Sequence, residues 1–169
     1  MHLEVKAVIE QPERIREILK QQKARFTGVD FQTDLYFRVP RGRLKLRQGN
    51  IENALIFYER PDVAAPRKSR AVTQPVSSDH SLREILSASL GVLTEVSKTR
   101  ESYLLGHTKI HLDQVEKLGA FVEIEIPHPD GTDEAVLQEE CHRMTRLLGL
   151  READFCAVSY SDLRQSEGS

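Results

Sequence analysis

Charged residues recur at every second position inside otherwise apolar runs. They do so in His2-Leu3-Glu4-Val5-Lys6, in Arg43-Leu44-Lys45-Leu46-Arg47 and in Glu123-Ile124-Glu125-Ile126. Successive side chains of an extended strand point to opposite faces, so each run sets its charges on one face and Leu, Val or Ile on the other. A chain written this way folds into sheet with one ionic and one apolar face. Two of the runs carry carboxylates and one carries only cations, a mixture suited to holding a metal ion and a polyanion in one place.

The 169 residues suffice for a single domain with a real core. Lys and Arg number 24 against 26 Asp and Glu, a formal net charge of −2. That balance counts against a nucleic acid or a membrane surface as partner, since such binders carry a basic excess. Cys141 and Cys156 have no metal-ligand spacing and read as buried or half-buried thiols of a reducing compartment. The first strand begins almost at Met1 with no signal-type segment before it, and no apolar run approaches the roughly 18 residues of a membrane span. A cytoplasmic protein is the expectation.

Leu3 to Ile9 reads as a strand, and Pro12 opens a helix in which Ile15, Ile18 and Leu19 form the apolar stripe. Thr27 to Asp30 reads as a turn. Short strands follow over Phe31 to Arg38, Arg43 to Gln48, Ala54 to Arg60 and Ser69 to Thr73, in the manner of a meander. Ser78 and Asp79 cap a second helix with Leu82, Ile85, Leu86 and Leu90 inward. Three more strands run over Val92 to Leu105, His107 to Asp113 and Ala120 to Ile126. Thr132 to Glu134 starts the longest helix, with Val136, Leu137, Cys141, Met144, Leu147 and Leu148 as its stripe. A short helix from Ser159 to Leu163 closes the chain, and the polar tail from Arg164 to Ser169 is expected to fray.

The pattern is α+β, with about eight strands and helices at three main places. A sheet with its apolar face under helices and its charges inward can close into a barrel with a polar lumen. The strand charges are mostly basic: Lys6, Arg43, Lys45, Arg47, Arg60, Lys68, Arg70, Lys98, Arg100 and Lys109 outnumber Glu4, Asp113, Glu123 and Glu125. Burying so many cations is costly unless an anion compensates them, so the lumen should take a polyanion. The competing reading is a solvated ionic face on a half-exposed sheet. Recurrence on strands distant in sequence weakens it. Tyr36, Phe37, Tyr58 and Phe121 read as packing residues, and His80, His128 and His142 as surface histidines. There is no Gly-x-Ser-x-Gly elbow, Walker loop or Gly-x-Gly-x-x-Gly.

These residues in this order resemble the CYTH family, the triphosphate tunnel metalloenzymes. The pieces are His2-Leu3-Glu4-Val5-Lys6, Thr33-Asp34-Leu35-Tyr36-Phe37, Arg43-Leu44-Lys45-Leu46-Arg47, Tyr58-Glu59-Arg60-Pro61, Lys98-Thr99-Arg100-Glu101, His111-Leu112-Asp113 and Gly119 to Glu125. The resemblance spans nearly the whole chain and implies a closed antiparallel barrel with a charged lumen and outer helices, a single domain over 1–169. The family's opening motif is Glu-x-Glu-x-Lys, and His2 stands where its first Glu would be.

The resemblance implies that Lys6, Arg43, Lys45, Arg47, Arg60, Lys68, Lys98 and Arg100 bind a triphosphate, with Lys6, Arg47 and Arg100 carrying catalysis. Glu4, Glu123 and Glu125 would hold Mg²⁺ or Mn²⁺, with Asp113 and His2 as further candidate ligands. The branch it looks closest to is that of class IV adenylate cyclases, which convert ATP to cyclic AMP and pyrophosphate. Hydrolysis of tripolyphosphate or thiamine triphosphate fits the same residues, and so does a non-catalytic binder of polyphosphate or nucleotide. The related cyclases suggest a homodimer.

Overall fold

A computed structural model of the chain describes residues 2–59 and 64–167. The alternating runs form eight antiparallel strands: β1 (His2–Val8), β2 (Arg25–Phe37), β3 (Arg43–Gln48), β4 (Asn53–Glu59), β5 (Arg67–Pro75), β6 (Val92–Leu105), β7 (Thr108–Val115) and β8 (Gly119–Pro127). Helix α1 (Pro12–Gln21) follows β1, α2 (Ser81–Leu90) follows β5, and α3 (Glu134–Leu147) and α4 (Tyr160–Glu167) follow β8. The closing helix therefore continues into the stretch expected to fray, as far as Glu167.

Strand order runs β1-β5-β4-β3-β2-β6-β7-β8 and returns to β1. The seams are unequal. β1 pairs with β8 along its length, from His2 opposite Pro127 to Val8 opposite Phe121. On its other side it meets β5 at His2–Ser69, Leu3–Lys68 and Glu4–Arg67 alone. β5 spends its second part, Arg70 to Pro75, on β4. Ala71 to Pro75 are exposed whichever face they point to. The uniformly closed cylinder expected from the sequence is thus corrected to a curled eight-stranded half-barrel whose ring is completed by one short seam. One nine-residue strand shared between two neighbours pairs with each over only part of its length.

The apolar faces lie outward under the helices. Leu3, Val5 and Ala7 of β1, Ile110 and Leu112 of β7, and Val122, Ile124 and Ile126 of β8 pack against Ile15 and Leu19 of α1 and Leu137, Cys141 and Met144 of α3. Full burial of each large side chain there contributes about 1.5–3 kcal/mol. A smaller cluster seats Leu82, Leu86 and Leu90 of α2 on Leu35, Phe37 and Leu46. Two residues expected on inward stripes face solvent, Ile85 at 62% exposure and Val136 at 57%. At 100° per residue Ile85 falls beside the Leu82-Leu86-Leu90 line, and Val136 about 100° from Leu137 and about 140° from Cys141.

β2 is longer than expected because Thr27 to Asp30 is strand, with a register shift between Phe26 and Gly28 instead of a turn. Gly28 has φ +141°, and a Cβ there would come within 2.9 Å of the Ile51 side chain. His128 is buried at 8% exposure, against its reading as a surface residue, while His80 and His142 are exposed.

Candidate active site

Inward parity brings Asp30, Gln32, Asp34 and Tyr36 of β2 to the lumen, with Lys45 and Arg47 of β3, Lys98 and Arg100 of β6, Asp113 of β7, Glu123 and Glu125 of β8, and His2, Glu4 and Lys6 of β1. Of the cations expected there, Lys6, Lys45, Arg47, Lys98, Arg100 and Lys109 line one cavity of about 420 Å³. Glu4, Glu123, Glu125 and His2 line it too. Arg60 lies outside the described residues, as do the side chains of Lys68 and Arg70.

Two buried carboxylates organise the cations. Asp34, 1% exposed, accepts from Arg47 Nε and Nη2 at 2.8 Å each, from Lys45 Nζ at 3.0 Å and from Lys98 Nζ at 3.3 Å. Burial alone would raise its pKa, but Arg47, Lys45 and Lys98 together hold it well below the ordinary carboxylate value. Asp113 is bound by Arg100 Nε at 2.7 Å and Nη2 at 2.5 Å and by the Tyr160 hydroxyl at 2.8 Å. Arg100 Nη2 also reaches Glu123 at 2.7 Å, and Lys6 Nζ lies 3.2 Å from the same carboxylate. The planar guanidinium fork suits both bidentate pairs.

The lysines pay for their location in basicity. Burial and the neighbouring Arg100 push Lys98 down to about 7. Burial and Arg47 push Lys45 down to about 8. Asp34 works against both shifts. These two ammonium groups therefore titrate near neutrality, and an added anion would favour their charged forms.

Carboxylates gather where β1 meets β8, with Glu4 directly opposite Glu125 and Lys6 opposite Glu123. His2 Nε2 is 3.3 Å from Glu4, and His111 Nε2 is 3.7 Å from Glu125. Although burial opposes charge on Glu125, a hydrogen bond from His111 and its nearby charge hold the carboxyl at about 2. The hydrogen bond with Glu4 raises the pKa of His2.

Two expected site residues turn out to be engaged elsewhere. Arg43 does not line the cavity and donates to Asp162 of α4 at 2.8 Å. Asp113, a candidate metal ligand, has both oxygens taken by Arg100 and Tyr160. Three contributors had no assigned part in the sequence reading: Asp34, Glu52, which meets Arg47 at 2.8 Å, and Tyr160, which is 3% exposed. Asp34 shares the inward parity of Tyr36, a signal available in sequence. Tyr160 comes from a polar helix remote from every strand motif and gives no such signal.

A half-barrel with an ionic lumen of paired cations and carboxylates, and its apolar faces under outer helices, defines the tunnel class of phosphate-handling folds. The chain belongs to the CYTH domain family, whose family model matches residues 1–160. A Methanocaldococcus jannaschii protein named as a putative adenylate cyclase is 25% identical, over 97% of this chain and 98% of its own. The solved structure of a Pyrococcus horikoshii OT3 protein superposes with a TM-score of 0.84 at 26% identity, covering 96% of this chain and 99% of that one. A Hippeastrum protein, described as an adenylyl cyclase candidate with a dominant triphosphatase activity, shares the fold at a TM-score of 0.68 and 12% identity, over 99% and 96% of the two chains.

The family acts on nucleotide triphosphates and generally with divalent metals. The donor chemistry here fits such an ion. Glu4 and Glu125 supply hard oxygens from adjacent strands, and Glu123 is one pleat further along β8. Among the described residues no three His, Cys, Asp or Glu side chains are grouped closely enough to hold a metal by themselves.

Proposed function

We propose that this protein is a divalent-metal-dependent enzyme acting on a triphosphate laid along the lumen, with conversion of ATP to cyclic AMP and pyrophosphate as its reaction. The observation that carries this reading is the convergence of Lys6, Lys45, Arg47, Lys98 and Arg100 on one cavity that Glu4, Glu123 and Glu125 also line. A triphosphate adds phosphate oxygens as partners for these cations. Arg47 and Arg100 then grip phosphate oxygens with forks already oriented by Asp34 and Asp113, while Lys6, Lys45 and Lys98 act as compact charges.

In cyclisation the ribose 3′-oxygen bonds to the α-phosphorus, the bond from that phosphorus to the bridging oxygen breaks, the hydroxyl proton goes to solvent and pyrophosphate leaves. Such chemistry rests on positioning and on neutralising charge as it develops, which Arg47, Lys98 and Arg100 provide from a buried lumen. Mg²⁺ or Mn²⁺ held by Glu4 and Glu125, with Glu123, would screen the phosphate oxygens and lower the pKa of the attacking hydroxyl.

One observation favours a second reading, attack of water on the terminal phosphorus of tripolyphosphate or thiamine triphosphate. The lumen's aromatic rings already carry lysines: Lys45 Nζ is 5.6 Å from the ring centroids of both Tyr36 and Tyr58. Rings so occupied are poorly placed to stack a base.

Incubation of the protein with Mg²⁺ or Mn²⁺ and ATP, tripolyphosphate or thiamine triphosphate separates these readings by product. Cyclic AMP with pyrophosphate is the expected outcome, and orthophosphate establishes the hydrolase. Glu123→Gln should abolish turnover by either route while the fold persists. Metal-dependent binding without any product in the wild type would reduce the protein to a binder and overturn the enzymatic reading.

A further inference from the structure

The cations of the lumen are held by strand carboxylates on one side, but Lys6 and Lys98 also share a neighbour that belongs to no strand. Beyond α3 the chain returns to the barrel, where Phe155 bridges Ala7 and the Cys156 amide donates to the Lys6 carbonyl at 2.8 Å. Ser159 and Asp162 then cap α4 reciprocally: the Asp162 amide donates to Ser159 Oγ at 3.3 Å and the Ser159 amide to Asp162 Oδ2 at 3.1 Å. Arg43 of β3 ties the same Asp162 to the barrel wall. The cap and the tie fix the first residue of α4, Tyr160, inside the lumen.

There the Tyr160 ring packs edge-on against Phe121 with centroids 5.1 Å apart, and its hydroxyl donates to Asp113. Lys6 Nζ stands 3.7 Å from the ring centroid and Lys98 Nζ 5.1 Å from it. Both distances are within cation–π range, in a desolvated setting where that attraction is strongest. Ser159 and Tyr160 line the same cavity as the two lysines. The family match ends at residue 160, so the remainder of α4 lies outside it.

We infer that Tyr160 is a positioning residue of the triphosphate site, its ring holding the Lys6 and Lys98 ammonium groups toward the cavity, and that α4 is therefore a built-in part of that site. The inference rests on the triphosphate reading of the lumen. A flexible lysine must be ordered before it can serve as a point charge, and that ordering costs binding free energy unless it is prepaid. The ring prepays it for two lysines at once.

The test separates ring from hydroxyl. Tripolyphosphate binding with Mg²⁺ is measured by calorimetry on the full chain, at a temperature where thermal melts show each variant folded. Tyr160→Phe keeps the ring and should bind within about twofold of the wild type, whereas Tyr160→Leu should bind about tenfold more weakly. A residue that merely packs the lumen would alter melting without separating the two affinities. Independently of any variant, the Lys6 ε-methylene protons should resonate upfield of ordinary lysine values because of the ring current. Equal affinities for Tyr160→Leu and wild type, a Tyr160→Phe as weak as Tyr160→Leu, or an unshifted Lys6 resonance would each overturn the inference. If the wild type itself fails to bind tripolyphosphate, the proposed function falls, and the resonance still judges the contact.

Discussion

Lys98 shows how a single buried side chain connects fold to chemistry. Its ammonium is held 3.3 Å from Asp34, yet burial and Arg100 lower its pKa from the ordinary 10.5 to about 7. In the free protein the charge is present below that value and lost as pH rises through it. The unfolded chain keeps the proton up to about 10.5, so this lysine by itself makes folding more favourable as pH rises from about 7 to 10.5. Anion binding has the opposite dependence, because a polyanion needs the charged form. Tripolyphosphate affinity should therefore fall between about pH 7 and 9, and binding at pH 8 should take up protons, as calorimetry in buffers of different ionisation enthalpy would show. Lys98→Arg, which stays protonated throughout, should flatten the profile. A wild type that binds at pH 8 with no proton uptake would contradict this account. The inward parity of Lys98 was legible in the sequence, but its lowered pKa was not, because the shift depends on desolvation and on charges from other strands.

At the scale of elements, the two helix-covered faces differ in how firmly they are sealed. α1 buries Ile15 and Leu19, with Leu19 wholly buried against β1, β7 and β8. α2 has no fully buried residue. Leu19→Ala should accordingly cost about 2–5 kcal/mol in chemical denaturation, the usual range for a core Leu truncation. Ile85→Ser in α2 should change stability by less than about 0.5 kcal/mol, since an exposed position away from a cap loses little. A large loss for Ile85→Ser would mean that this helix face is covered. The existence and order of these elements were readable from periodicity. Their inward stripes were less so, because Ile85 and Val136 obey helical spacing while lying just beyond the strip that touches the sheet.

Over the whole molecule, the weakest line of the barrel is the side where β5 meets β1 at residues 67–69. Amides of β5 should exchange with deuterium faster than those of β2 and β6, which pair from Arg25–Leu104 to Phe37–Val92. Protection of β5 equal to that of β6 would show the wall to be as firm there as elsewhere. In the lumen the carboxylates Asp34, Asp113 and Glu123 are each paired among the cations Lys6, Lys45, Arg47, Lys98 and Arg100. Breaking one such buried pair from one side leaves an uncompensated ion, a more serious loss than deleting both partners.

Strand parity, the apolar stripe of α1 and the inward placement of Lys6, Lys45, Arg47, Lys98 and Arg100 were determined by the sequence itself. Each follows from a local periodicity of two or 3.6 residues that the backbone imposes on any chain. The tertiary structure alone decided which carboxylate answers which cation, that Asp113 serves Arg100, that Arg43 pairs with Asp162 of α4 and that Tyr160 enters the lumen. Those pairings join residues from 5 to 119 positions apart, most of them on different elements, and no local rule specifies the partner. They are selected because a buried charge must find a partner wherever the closed fold happens to bring one.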